Sequence, residues 1–265
     1  MTDHKITLYG FPKSNNAPSP SGFCQKLETF LRAANFTSYT HAETWPDKAP
    51  KKKLPYIDLV SPPGPDGTTP TTTSIADSQL IIQSLVASGV CPDLDAPLTP
   101  LERADSRAWI AYTEELMYPA LVTTRWYWGR DDNYASNLAG LTQVPAVVRP
   151  VVGWLWRRKI SGAMWTMGAG RHTPEEVDGM VREWMDAVEV RFGVEGGKGW
   201  WFGREEPTVV DVVVYAFLAN IIGTGEGNRE ALGMVKERAA TRAYIGRATR
   251  KWFPEYEGVL RFVTE

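Results

Sequence analysis

The sequence predicts two units in tandem, an α/β unit built on a four-stranded sheet and then an all-helical bundle. Three observations point there. Between Ile6 and Ser88 the elements run strand–helix–strand, then strand–strand–helix; beyond residue 95 no segment alternates like a strand, while helix starts recur. Composition changes at the same place. Of 11 Trp only Trp45 precedes residue 91, whereas ten of the 19 Pro do. The boundaries that follow are residues 1–90, a linker at 91–98, and 99–265. With 265 residues, 29 Lys+Arg against 31 Asp+Glu and 43% hydrophobic residues, the chain can bury a core. That balance excludes wholesale disorder and leaves no basic footprint for nucleic acid.

The elements follow in order. Ile6 to Phe11 is a short apolar run suited to a buried strand, and Lys13 to Ser21 is a polar, proline-bearing loop. Cys24, Leu27, Leu31 and Ala34 recur at helical spacing, and Phe36 to Glu43 alternates like a second strand. Trp45 to Lys53, with two prolines and three consecutive lysines, reads as a loop. Leu54 to Val60 has strand composition with Pro55 near its start, where a missing N–H is tolerated. Ser61 to Pro70 is a turn region containing Asp66-Gly67, longer and more proline-rich than a tight hairpin needs, and Thr71 to Ile75 is the return strand. Asp77-Ser78 then opens a helix that Gly89 stops. A sheet with helices on both faces accommodates this order.

In the second unit, Thr99-Pro100-Leu101-Glu102 and Thr173-Pro174-Glu175-Glu176 place Thr at the cap, Pro at the first helical position and Glu at the third. In Thr208-Val209-Val210-Asp211 the aspartate takes the glutamate's part. Val177, Met180, Val181, Trp184, Val188 and Phe192 form one helix face. Val212 to Ile222 is apolar but interrupted by Asn220, shorter than the roughly 20 residues of a bilayer span, and reads as a buried core helix. Roughly five to seven helices are expected by ordinary helix and loop lengths.

The first unit resembles the thioredoxin fold, where the bond before the third strand's proline is cis, and the tandem arrangement resembles the glutathione transferase superfamily. Ser21-Gly22-Phe23-Cys24-Gln25-Lys26-Leu27-Glu28 is similar to the first helix of the serine-type classes. Ala49 to Ile57 and Ile75-Ala76-Asp77-Ser78 resemble that family's cis-proline segment and its acidic-Ser pair. Pro18 to Cys24, Leu98 to Ala104, Glu114 to Tyr118 with Arg125-Trp126, and Gly170 to Glu176 resemble the branch containing failed-axon-connections and metaxin proteins.

The resemblance assigns Ser21, at the N-terminus of the first helix, the task of holding glutathione's sulfur as thiolate; the residue type alone reads equally as a helix cap. Cys24 is a competing nucleophile, but the first position of a dithiol motif is here Ser21, so it lacks a partner and reads as a small core residue. Tyr9 ends the first strand, where another class places a catalytic tyrosine; in the serine-type classes this aromatic simply packs, and packing is the reading preferred here. Leu54 and Pro55 would pair through the Leu54 backbone with the tripeptide's cysteinyl part. Lys53 can meet a glutathione carboxylate or be part of a solvated charge run. Lys52 stands where the family commonly has Gly, so a different loop path is expected. Asp77 can accept from the γ-glutamyl ammonium and Ser78 can donate to its carboxylate, or the two can simply cap a helix.

Tyr118, Trp126 and Trp128 are candidates for an apolar electrophile pocket. The aromatic and basic run at 147–164 can touch a membrane surface or pack in the bundle. His172 reads as a loop residue at a helix start, and no His/Asp/Glu cluster has metal spacing. The leading expectation is a glutathione transferase-like enzyme with glutathione as co-substrate, no metal, a small hydrophobic electrophile and possible peroxidase or thiol-transfer side activity. The alternatives are a non-catalytic, metaxin-like binding or interaction protein and, less strongly, a thiol oxidoreductase using Cys24. The resemblance implies a two-fold homodimer, with a monomer as the alternative. Two cysteines without pairing pattern and an opening without a secretory signal fit a cytoplasmic setting, with no integral membrane span.

Overall fold

A computed structural model describes residues 4–63, 69–126, 130–139, 144–194 and 199–265. Four strands, β1 (Lys5–Gly10), β2 (Tyr39–Glu43), β3 (Tyr56–Val60) and β4 (Thr72–Ala76), lie in the order β2-β1-β3-β4. β1 pairs parallel with β2 and antiparallel with β3, and β3 pairs antiparallel with β4. The parallel pair needs a crossover, which α1 (Gly22–Ala33) supplies; α2 (Ser78–Ala87) follows β4. Alternation decides which strand residues turn inward. Ile6 and Leu8 of β1 and Ile57 of β3 pack under Leu27, Phe30 and Leu31 of α1 and Ile81, Ile82 and Leu85 of α2. The Leu54–Pro55 bond is cis.

Among the described residues only one sheet face carries helices of the first unit, a correction to the expectation of both. Between β2 and β3 the chain has Pro46, Pro50 and a lysine run in place of a periodic apolar stripe, and it makes a single 3-10 turn, Pro46–Lys48. The other face presents Tyr9 stacked on Tyr56 (ring centroids 4.3 Å apart), with Tyr9 donating to Asp58 at 3.0 Å. The Asp66-Gly67 turn lies outside the described residues.

The bundle has nine α-helices among the described residues, more than expected: α3 (Pro100–Ala111), α4 (Tyr118–Trp126), α5 (Asp131–Ala139), α6 (Arg149–Met167), α7 (Pro174–Gly193), α8 (Val209–Thr224), α9 (Arg229–Lys236), α10 (Ala239–Trp252) and α11 (Glu257–Thr264). Part of the excess is one long helix divided. A π-helical segment, Tyr112–Met117, joins α3 to α4 just before Pro119, whose missing N–H deprives the Glu115 carbonyl of its α-helical partner. All three capping boxes form, with Glu102, Glu176 and Asp211 reaching back to the N–H of Thr99, Thr173 and Thr208 at 2.8–2.9 Å.

Helix α8 is the axle of the molecule. Every residue from Val209 to Ile221 is buried, and Val212 reaches into the core beneath the sheet. The run Val209–Lys236 is apolar and long enough to span a bilayer by composition, yet 72% of its most apolar window is buried inside the protein. Burial carries Asp211 along. Its carboxyl, accepting from Thr208 N, Thr208 Oγ1 and Trp201 N at 2.8–2.9 Å, is pushed up to about 6 because desolvation outweighs those donated bonds.

Candidate functional site

Helix α1 lies against α8, and the fit is close at its first turn. A Cβ on Gly22 would stand 2.6 Å from the Phe217 ring. This contact sets how far Ser21 projects between the two domains. Ser21 is the N-cap of α1, its Oγ accepting from Cys24 N at 3.4 Å. The loop before it is fastened from both sides: Ser19 N donates to Gln25 Oε1 (2.8 Å), Asn220 Nδ2 of α8 donates to Ser19 O (2.8 Å), and Arg125 Nη1 of α4 donates to Pro20 O (3.3 Å). Farther back, Lys13 pairs with buried Glu28 at 2.8 Å and donates to Tyr256 at 3.1 Å. A loop with polar residues and prolines is thus held in one shape by partners from the bundle.

The Cys24 thiol is buried. Burial pushes it up to about 11, although the Ser21 and Ser19 hydroxyls and the Phe11 backbone all pull the other way. With Ala49 and Leu54 it forms a small apolar cluster flanked by Phe11 and Tyr56. This arrangement removes the exposed thiolate that a Cys24 oxidoreductase requires.

That cluster links Ser21 to the cis-proline. Pro55 O accepts from Asp77 N at 3.4 Å, so the line of contacts continues to α2. Asp77 is the N-cap of α2, with φ 89°, its Oδ1 accepting from Gln79 N (3.0 Å) and Leu80 N (3.2 Å). Its Oδ2 has no such bond among the described residues. Neither does the Ser78 N–H or hydroxyl, nor the Leu54 main chain. Lys53 is exposed beside Leu54. Lys52, at φ 54°, holds the left-handed conformation that glycine adopts without steric cost, so the substitution for Gly is accommodated by backbone geometry.

One charged group of the site was not singled out from the sequence. Lys26 is fully buried, bonded to Glu114 Oε1 at 2.6 Å and to Gln79 Oε1 at 2.8 Å. It joins α1, the start of α2 and the π segment at the floor of the acidic-Ser pair. Burial raises the Glu114 carboxyl, Lys26 opposes it, and the nearby Asp77 charge adds to the rise. No local pattern announces a pair separated by 88 positions; a lysine on the inner side of an amphipathic helix was the available signal.

The apolar wall has a different composition from the expectation. Tyr118 packs edge-on against Phe23 (4.8 Å) and Phe217 (5.6 Å), directly over the first turn of α1. Burial raises its phenol, with Arg125 opposing. Trp126 is only 8% exposed and packs with Val122 and Met164 inside the bundle, edge-on to Tyr134. Trp128 lies outside the described residues. Trp156 makes the cross-domain contact, 5.3 Å from Trp45, which in turn meets Phe11 at 5.9 Å. Phe11, Trp45 and Trp156 thus form one aromatic contact between the two domains, and Tyr118 stands over the helix start that Ser21 caps.

Comparison with known proteins bears on the fold. Residues 22–133 match the glutathione S-transferase N-terminal domain family. Over nearly its whole length the chain superposes on glutathione transferase structures. The chain has the glutathione transferase fold. Among solved structures, glutathione transferase Omega 2S of Trametes versicolor is 16% identical, with TM-score 0.53 over 99% of this chain and 96% of that one. A glutathione S-transferase of Methylobacterium radiotolerans, in complex with glutathione sulfonate, is 14% identical, with TM-score 0.54 over 97% and 94%. At these identities the likeness concerns the fold of the superfamily alone. Failed axon connections of Drosophila melanogaster is 27% identical over 96% of this chain, which spans 59% of that relative's length.

Proposed function

We propose that this chain is a glutathione transferase-like enzyme that binds glutathione across its N-terminal domain and ionises the thiol beside Ser21 for attack on a small apolar electrophile. The observation that carries the reading is the continuous line of contacts from Ser21 through Cys24, Leu54 and Pro55 to Asp77 and Ser78, along which the Leu54 main chain, the Ser78 N–H and hydroxyl and the second Asp77 oxygen have no hydrogen-bond partner among the described residues. A tripeptide has complementary groups in the matching order. Its cysteinyl N–H and C=O would pair with Leu54 in strand fashion, its γ-glutamyl carboxylate with Ser78 at the helix N-terminus, and its ammonium with the second oxygen of Asp77. Lys53 stands beside Leu54 for the glycyl carboxylate. The Methylobacterium relative's complex with glutathione sulfonate supports that ligand class.

At the sulfur, the helix N-terminus and one Ser21 O–H donor both favour the anion. Lowering a thiol from about 8.5 by two units corresponds to about 2.7 kcal/mol. The electrophile would lie against Tyr118, Trp156 and Phe11, brought to the sulfur in an apolar setting. The test is the ultraviolet absorbance of bound thiolate against pH. Wild type is expected to titrate below free glutathione, and Ser21→Ala to move that midpoint upward while slowing conjugation roughly tenfold to a hundredfold. Unchanged titration and rate in Ser21→Ala would remove Ser21 from the reaction; binding without any thiol shift would leave a non-catalytic glutathione-binding relative.

A further inference from the structure

Helix α6 is apolar on two sides. Its inner side, with Gly153 and Met164, packs on α4 and α5, and Trp156 reaches across to the first domain. The core therefore accounts for that side alone. Val151, Trp154, Leu155 and Trp165 recur at helical spacing on the outer side and are 47–63% exposed; Val147 just before the helix is 92% exposed. Such a patch on a protein surface calls for a covering partner.

The charge around the patch points to what covers it. Between Asp132 and Glu175 there is no acidic residue, while the stretch has five Arg and Lys, in a chain whose total is −2; Arg157 is buried against Asp131, and Arg158, Lys159 and Arg171 are exposed. Arg158 lies over the Trp154 ring at 5.7 Å and Arg171 over the Trp165 ring at the same distance; Lys159 is exposed beside them. A two-fold contact between copies through this face would bring its cations against their own counterparts. An aqueous anion or nucleic acid would satisfy the cations and leave Val151 and Leu155 wet. A surface with anionic heads above apolar chains answers both. Tryptophan prefers that boundary, and long basic side chains keep their charge at head-group level while their stems lie along apolar surface.

We propose that the outer face of α6 docks the protein on an anionic bilayer surface, with α6 lying in the interface plane. Nothing spans the membrane in this arrangement. The cleft around Ser21 lies on the opposite side of α6, so docking and glutathione binding are separate properties.

The test uses the whole chain with extruded vesicles of phosphatidylcholine, with and without phosphatidylserine, followed by sedimentation and tryptophan emission. The chain is expected to sediment with the phosphatidylserine vesicles, with emission shifted to the blue and release at high salt. Arg158→Gln with Lys159→Gln should lower partitioning about thirtyfold. Trp154→Ser with Trp165→Ser should abolish it while circular dichroism remains that of wild type. Absence of sedimentation with anionic vesicles, or equal partitioning of all variants, overturns the proposal. So does analytical ultracentrifugation showing a dimer that Trp154→Ser dissociates, since that would make a second copy the occupant of this face.

Discussion

Ser21 and Cys24 sit three positions apart at one helix start and are directed to opposite fates by burial. The serine is partly exposed at the cap; the cysteine lies under it in an apolar cluster with Leu54. Reactivity follows thiolate content, and a thiol held near 11 has little at neutral pH. Cys91, also buried, is pushed up to about 11 by desolvation. Native protein at pH 8 is therefore expected to leave both thiols unmodified by a disulfide reagent and to release both only on unfolding. Rapid labelling of Cys24 in the native state would reopen its role as nucleophile. Local sequence identified the serine's cap and the missing dithiol partner. It did not show that the same hydroxyl lies within reach of the Cys24 sulfur, because that depends on how the preceding loop is held by Gln25, Asn220 and Arg125.

At the scale of elements, the contact between α1 and α8 positions the site, and Gly22 controls it. Phe217 is fully buried and flanked by Phe23 and Tyr118, so it has no room to turn away from a new methyl. Gly22→Ala is expected to cost about 1–3 kcal/mol, the usual penalty of overpacking, and to weaken glutathione binding; denaturant melts check the first and titration the second. Helix α8 has a second signature in its capping box. Asp211 has a folded value near 6 against 3.8 unfolded, so the native state binds more protons between those values, and stability falls as pH rises through that window. The difference corresponds to about 3 kcal/mol. Replacing Asp211 by Asn removes this titration. The stability difference between wild type and Asp211→Asn should therefore favour wild type most near pH 4 and shrink by about that amount by pH 7, measured by denaturant unfolding at each pH. A pH-independent difference would show that the carboxylate's three hydrogen bonds dominate.

These elements also mark how far the sequence could be followed. Caps, the apolar run of α8 and the proline opening β3 are written in short stretches, because each depends on neighbours within a few positions. Coverage of the sheet depended on what the segment after β2 failed to form. Which Trp faces the cleft depended on how α6 rotates: Trp156 meets Trp45 while Trp154, two positions earlier, faces solvent. Likewise, Lys26 reads as one charge in an amphipathic helix until the fold brings Glu114 to it. A buried pair of this kind reports tertiary structure, and removing one partner leaves the other's charge uncompensated.

Over the whole molecule, the compositional asymmetry acquires a division of labour. The first domain, with its prolines and its single Trp, arranges unpaired main-chain and hydroxyl groups along a line suited to a tripeptide. The second, Trp-rich domain supplies an apolar border to the cleft through Trp156 and an exposed face through Trp154 and Trp165. The part-buried seam of Arg32 with Trp252 O (2.8 Å), its guanidinium over Phe253 (4.1 Å), and Asn220 with Ser19 holds the two domains in one arrangement. The account stands or falls on the tripeptide. Isothermal titration of glutathione into the whole chain is the most direct measurement: saturable binding at one site per chain is predicted, weakened roughly tenfold or more by Ser78→Ala through loss of a hydrogen bond to a carboxylate. Absence of saturable binding, or the same affinity in Ser78→Ala, would contradict it.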